Sequence, residues 1–243
     1  MDLIWLGRAR RPATARWARQ AEAGPGTPGL TLLCVPGTMC SPRIFAGLAD
    51  EGGLGLAVAA VPWLEWPGPH DMATLGAMVA EQAAALSPVV LVGHSTGGVI
   101  ALSAALRARP GTVAGIVLCD TGVNMHGHGD VDAIIERVRR DWGPPLWEQI
   151  VRRSVHVEPD ASTLADLLAY PARISPLAVE EALRSQRDTD LLPELHRLAD
   201  LPALVVHGVH DQARPVSHAQ ELAAALARVS DDHGFLGPAR LPA

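Results

Sequence analysis

Clustered charge, cysteine and aromatic residues are all scarce in this chain, and each scarcity excludes something. A net charge of -6 with no long basic run argues against nucleic acid as the main partner. Lys+Arg and Asp+Glu are dispersed, so the acidic balance reads as solubility. Cys34, Cys40 and Cys119 form an odd set without CxxC spacing, which speaks against a disulfide scaffold and for a reducing, cytoplasmic compartment. Cys34 and Cys119 lie in apolar runs, where cysteine behaves as a small buried hydrophobe. No apolar stretch is long and clean enough to span a membrane. Met1 to Gln20 carries five Arg but no continuous apolar segment, so it does not read as a secretory signal. Residues 1–29 are expected to be an N-terminal arm, amphipathic or poorly ordered. Aromatics make up only 4% of the chain, yet six of them are Trp. Trp63 with Trp66, and Trp142 with Trp147, are read either as core fillers or as lining of an apolar pocket.

What the chain has in quantity is apolar residues, 48% of 243, enough for one sizeable core. Gly24-Pro25-Gly26-Thr27-Pro28-Gly29 is a cluster of breakers that separates the Arg-rich start from the rest. Leu30–Val35, Leu56–Val61, Val89–Val92, Val113–Cys119 and Leu201–His207 are short apolar runs between breakers, as strands buried on both faces are. Asp71 is placed to cap a helix through Leu86, with Leu75, Met78, Val79, Ala83 and Leu86 at helical spacing. Further helices are expected from Ser95 to about Arg109 and over Val216–Ala227. Strands alternating with helices predict an α/β fold, a mostly parallel central sheet flanked by helices. Between Thr121 and about Asp190 the strand rhythm stops. Helical stretches there, Val131–Arg140 and Leu177–Arg187, are punctuated by prolines and read as an insertion.

Gly93-His94-Ser95-Thr96-Gly97 matches G-x-S-x-G, a short pattern given weight by the apolar strand before it and the Ala/Leu-rich helix after it. A serine in such a turn needs small neighbours, and the turn lifts its hydroxyl above the following helix N-terminus. The Thr96 N–H would then face a developing oxyanion, aided by the helix dipole. The plainer reading is a glycine-rich strand-to-helix turn that binds phosphate. No G-x-G-x-x-G and no Lys after the glycines support that one.

With these residues the chain resembles the α/β-hydrolases, from about Leu30 to Ala227. The resemblance implies a core of residues 30–123 and 191–243 and a helical cap over 124–190. It also implies a serine hydrolase of an ester, thioester or lactone, working on a small-molecule acyl substrate without a cofactor or a metal. Ser95 is the implied nucleophile. In Val35-Pro36-Gly37-Thr38-Met39-Cys40-Ser41 the family's loop after the first strand is recognisable, making Thr38 the second oxyanion donor beside Thr96, with Met39 as the alternative. His207-Gly208-Val209-His210-Asp211 resembles the family's acid-bearing segment, so Asp211 is the implied triad carboxylate. Asp120, after Val113–Cys119, is the competitor.

By chain order the base is His233, in Asp231-Asp232-His233-Gly234-Phe235, ahead of His218 and His210. It follows Asp211 at a shorter spacing than the family pattern, and Arg228–Asp232 are too few and too polar for a buried strand. The last strand is therefore expected to be missing or shortened. His94 lines the site rather than serving as base. Trp142, Trp147 and Met39 complete the expected substrate contacts.

Two other readings stand beside this one. Met125-His126-Gly127-His128-Gly129-Asp130-Val131-Asp132 echoes H-x-H-x-D metal patterns, against a solvated hinge into the insertion. The short, polar segment before His233 also admits a degenerate relative that binds a ligand or partner without turnover. The same scaffold hosts C–C hydrolases and cyclases too.

Overall fold

The computed structural model of the chain describes residues 4–8, 29–50, 56–154, 160–211 and 213–227. Its sheet contains β1 (Ile4–Arg8), β2 (Thr31–Val35), β3 (Ala57–Ala60), β4 (Val89–His94), β5 (Val113–Cys119) and β6 (Ala203–Val206), in the order β1-β3-β2-β4-β5-β6. β2 to β6 are parallel, and β1 is antiparallel to β3. The expected arm is thus corrected at residues 4–8. Ile-Trp-Leu-Gly-Arg supplies the hydrogen-bond partners that the outer edge of β3 would otherwise lack.

Both faces of the central strands are covered, as their unbroken apolar sequences require. Leu33 and Leu91 belong to the main core with Ile100, Ile116 and Leu118, while Cys34 and Val92 join Phe45, Val58 and Ala60 in a smaller cluster. Successive side chains alternate between the faces, so neighbours in one strand serve different cores. The main core is closed by α2 (Met72–Leu86) and α3 (Thr96–Arg107). Asp71 caps α2 as expected, its Oδ1 accepting from the Thr74 N–H at 2.9 Å.

The region between β5 and β6 is helical: α4 (Val131–Asp141), α5 (Pro144–Arg153), α6 (Ala161–Ala169) and α7 (Pro176–Arg187). α1 (Ala46–Asp50) and α8 (Val216–Ala227) complete the α-helices among the described residues. Prolines that read as punctuation turn out to start helices: Pro144, Pro145 and Pro176 sit in first turns, where a missing N–H costs nothing.

The chain passes from β2 to β3 on one side and then returns across β2 to β4 on the other. Their carboxyl ends therefore diverge, and a crevice opens between β2 and β4, where open parallel sheets hold their ligands. The loops bearing Thr38 and Ser95 both leave the sheet there. At the opposite edge β6 is the outermost described strand, with Leu204 and Val206 exposed by 55% and 48%.

Candidate active site

Ser95 occupies the one-residue turn between β4 and α3, with φ 53° and ψ -124°. This is left-handed backbone that disfavours any side chain and persists only where its surroundings enforce it. The Ser95 N–H donates to the Cys119 carbonyl at 2.9 Å, and the Ser95 carbonyl accepts from the Gly98 N–H at 2.9 Å. The Thr121 hydroxyl also donates to that carbonyl, at 2.7 Å. The two framing glycines are steric necessities. A Cβ at Gly93 would lie 2.5 Å from the Gly98 Cα, and one at Gly97 would lie 2.0 Å from the Val35 oxygen.

The loop after β2 lies directly against this turn. A Cβ at Gly37 would come within 2.9 Å of the Ser95 Cβ and 3.1 Å of His94 Nδ1. Trp63, fully buried, donates its indole N–H to the Pro36 carbonyl at 2.8 Å and so anchors the loop. Trp66 is buried in the main core as well, so the first tryptophan pair is packing, with a positioning role for Trp63. Met39 is buried and left-handed at φ 62°.

The structure brings Thr38 and Thr96 together. Their hydroxyls are 2.8 Å apart, and Thr96 Oγ1 donates to Gln186 Oε1 at 2.9 Å. A hydroxyl has a single proton, so Thr38 must donate to Thr96 and the chain runs Thr38 to Thr96 to Gln186. Gln186 is 3% exposed and comes from α7, so the insertion is tied to both sides of the crevice. Sequence reasoning missed it, although the signal was present: Gln186 is the polar member of the buried stripe Ala178, Val179, Ala182, Gln186. Replacing Gln186 with Leu would strand the Thr96 proton in a buried site. The variant is expected to lose about 1–3 kcal/mol of stability in urea denaturation.

Both acid candidates lie at the carboxyl edge, on either side of His207. Asp120 follows β5 with φ 48°, and its Oδ1 accepts from the Gly208 N–H at 2.7 Å. Asp211 Oδ1 accepts from the N–H groups of Ala213 and Arg214 at 2.7 and 3.0 Å, organising the turn into α8. Its Oδ2 stands 3.7 Å from His207 Nε2, and His207 Nδ1 stands 3.8 Å from Asp120 Oδ1. His94 is near enough to feel both carboxylates. Burial outweighs them and holds its pKa below the ordinary value, so the ring is neutral near pH 7.

His233 lies outside the described residues. His218 is committed elsewhere: its Nδ1 meets Arg214 Nη1 at 3.1 Å, and burial and the Arg214 charge lower its pKa. His128, its ring centroid 6.5 Å from that of His218, is pushed down to about 4 by burial first and Arg214 second. The H-x-H-x-D run does not converge on a common point. Asp130 caps α4 by accepting from the Ala133 N–H, and Asp132 pairs with Arg187. Trp142 and Trp147 stack edge to face with centroids 5.6 Å apart and pack partly buried against the main core.

Comparison with known proteins agrees with this fold. Residues 32–238 match the model of the alpha/beta hydrolase family. Solved structures with the same fold include an enol-lactonase from Burkholderia xenovorans LB400 (18% identity, TM-score 0.69, covering 84% of this chain and 81% of that one). An esterase from Exiguobacterium antarcticum shares 21% identity at TM-score 0.69, over 82% of this chain and 81% of its own. A hydrolase from Pseudomonas aeruginosa PA01 shares 23% at TM-score 0.60, over 80% and 78%. A curated relative, the spectinabilin polyketide synthase system protein NorC of Streptomyces orinoci, is 36% identical over 107 residues, 40% of this chain but 5% of its own length. A serine on a left-handed strand-to-helix turn at the β2/β4 crevice, within a family match running from β2 past α8, places this chain in the alpha/beta hydrolase family.

Proposed function

We propose that the chain is a serine hydrolase of esters, thioesters or lactones with small or medium acyl groups, acting in a reducing, cytoplasmic compartment. The observation that carries this reading is Ser95, held at φ 53° with the Gly37–Thr38 loop packed on it. No helix among the described residues is long and apolar enough to cross a membrane.

In the reaction Ser95 Oγ attacks the acyl carbon and His233 takes its proton. Asp211 orients the imidazole, and the N–H groups of Thr38 and Thr96 hold the tetrahedral oxyanion. The proton passes from His233 to the leaving group, and water then repeats the sequence to free the acid. Asp211 suits its role because Oδ1 is fixed by two backbone N–H groups while Oδ2 accepts from none of the described residues. Residues 124–190 form the cap, with Met39, His94, Trp142 and Trp147 bordering the acyl site.

A second reading, ligand binding without turnover, draws on β6, whose outer side carries no further strand among the described residues. A fluorophosphonate probe separates the two. The hydrolase reading expects a covalent adduct on the peptide containing Ser95, strongly reduced in His233→Ala and Asp211→Asn. Folded protein that takes no label favours binding alone. Label undiminished in Asp211→Asn but lost in Asp120→Asn moves the acid to β5. Turnover of ester, thioester and lactone panels then ranks the leaving groups against C–C cleavage and cyclisation.

A further inference from the structure

The two oxyanion donors, Thr38 and Thr96, come from segments 58 positions apart. Each N–H is aimed from within its own segment. A peptide unit is planar and trans, so fixing its carbonyl also fixes the N–H on its other side. The Ser95 carbonyl, which shares a plane with the Thr96 N–H, accepts from the Gly98 N–H and the Thr121 hydroxyl. The Gly37 carbonyl, which shares a plane with the Thr38 N–H, accepts from the Cys40 N–H at 3.1 Å. Packing of Gly37 on Ser95 limits how close the two segments come but not how far apart they stand. The polar tie that sets this spacing is the 2.8 Å contact between the two threonine hydroxyls.

That tie brings two protons together and uses one. The other passes from Thr96 Oγ1 to Gln186 Oε1 at 2.9 Å. Thr96 is 3% exposed, and besides Thr38 no other acceptor meets its hydroxyl among the described residues. Gln186 is a fixed post for this bond. Its neighbour Ser185 accepts from the Met72 N–H at 2.9 Å, and Glu181 Oε2 stands 3.3 Å from His70 Nδ1. α7 is therefore held around the start of α2 without help from Thr96, and stays there when the side chain at 186 changes.

We infer that Gln186 is a positioning residue for the oxyanion hole: α7 supplies the acceptor that gives the Thr38–Thr96 pair one order and one spacing. This role rests on the hydrolase reading. With an apolar side chain at 186 the Thr96 hydroxyl turns to Thr38, and the Thr38 proton is released into the crevice. Thr96 is then held by one side-chain bond instead of two, and the spacing of the donors loosens. They must stand within about 2.7–3.1 Å of an oxygen whose charge develops only in the tetrahedral state. The loss therefore falls on kcat and not on KM. Misplacement by about 1 Å costs about a hundredfold in rate, which bounds the effect for a pair that stays in contact.

Steady-state hydrolysis of p-nitrophenyl butyrate by the full chain tests the role, together with the fraction of chains that a fluorophosphonate labels at completion. Gln186→Met keeps the length of the side chain and removes the acceptor. It is expected to lower kcat by about 10–100-fold while KM and the labelled fraction stay as in the parent. In a Thr96→Val background, where the chain of hydroxyls is already broken, Gln186→Met should change kcat by less than about twofold. Ser103→Ala controls for general loosening. It removes another buried hydrogen bond, from α3 to the Met72 carbonyl at 3.1 Å, and should leave kcat as in the parent. Four outcomes overturn the role: parent-like kcat in Gln186→Met, a kcat that falls only in step with the labelled fraction, an equal loss in Ser103→Ala, or losses that multiply in the double variant. Any of them with an active parent leaves the hydrolase reading standing. A folded parent that neither labels nor turns over rejects that reading and this role with it.

Discussion

Ser95→Ala is expected to lower ester hydrolysis by roughly four to six orders of magnitude, as loss of a nucleophile does in a serine triad, while the protein stays folded. The hydroxyl contributes nothing to the hydrogen bonds that hold the turn: the Ser95 N–H and carbonyl make them, with Cys119, Gly98 and Thr121. The same position gives a second result of opposite sign. At φ 53° and ψ -124° a Cβ is strained whatever the side chain beyond it, and such conformations cost about 1–3 kcal/mol for residues other than glycine. Ser95→Gly should therefore be as inactive as Ser95→Ala yet more stable than the parent. In a chain of this size each kcal/mol raises Tm by about 2–4 °C. A circular dichroism melt of the three proteins reads both effects. Ser95→Gly melting at or below Ser95→Ala would remove the argument that this backbone stores strain to present a hydroxyl.

That strain explains which parts of the site were legible in the sequence. Val89–Val92 reads as a buried strand because each of these residues packs into one of two cores, and Gly93 and Gly97 read as an elbow because sterics allow little else. Capping is similarly local, as at Asp71. Features made by approach between distant segments left fainter marks. Gly208 reaches Asp120 across 88 positions, and Gln186 reaches Thr96 across 90. Neither pairing leaves a local pattern, and Gln186 shows only as a polar residue on an apolar helix stripe. The ends of β6 illustrate the same limit. Leu201–His207 is apolar enough for a longer strand, but pairing with β5 covers only Ala203–Val206. β1 was missed because its apolar residues sit within an Arg-rich stretch, and only the open edge of β3 gives them a partner.

The largest effect on folding is expected at Gly97. A Cβ there meets the Val35 oxygen at 2.0 Å and the Pro36 oxygen at 2.6 Å. Both are backbone atoms, so no side-chain rotation relieves the clash, and ordinary contact needs α3 and β2 to part by about 1.4 Å or more. Neither is free to move. Val35 is paired in register with Gly93, and α3 is buried continuously from Thr96 to Ala104. Overpacking that displaces backbone costs about 3 kcal/mol at the upper end of its usual range, and Gly97→Ala belongs there or beyond it. Gly47→Ala is the matched control. Gly47 lies in α1 with open space around its would-be Cβ, so alanine there should add about 0.5–1 kcal/mol through helix propensity. Urea denaturation of both variants measures the contrast. Because a parted α3 also separates Thr96 from Thr38, any Gly97→Ala protein that still folds should label with fluorophosphonate far more slowly than the parent. Parent-like stability and labelling in Gly97→Ala would mean that the close packing of elbow and loop is not what holds the site together.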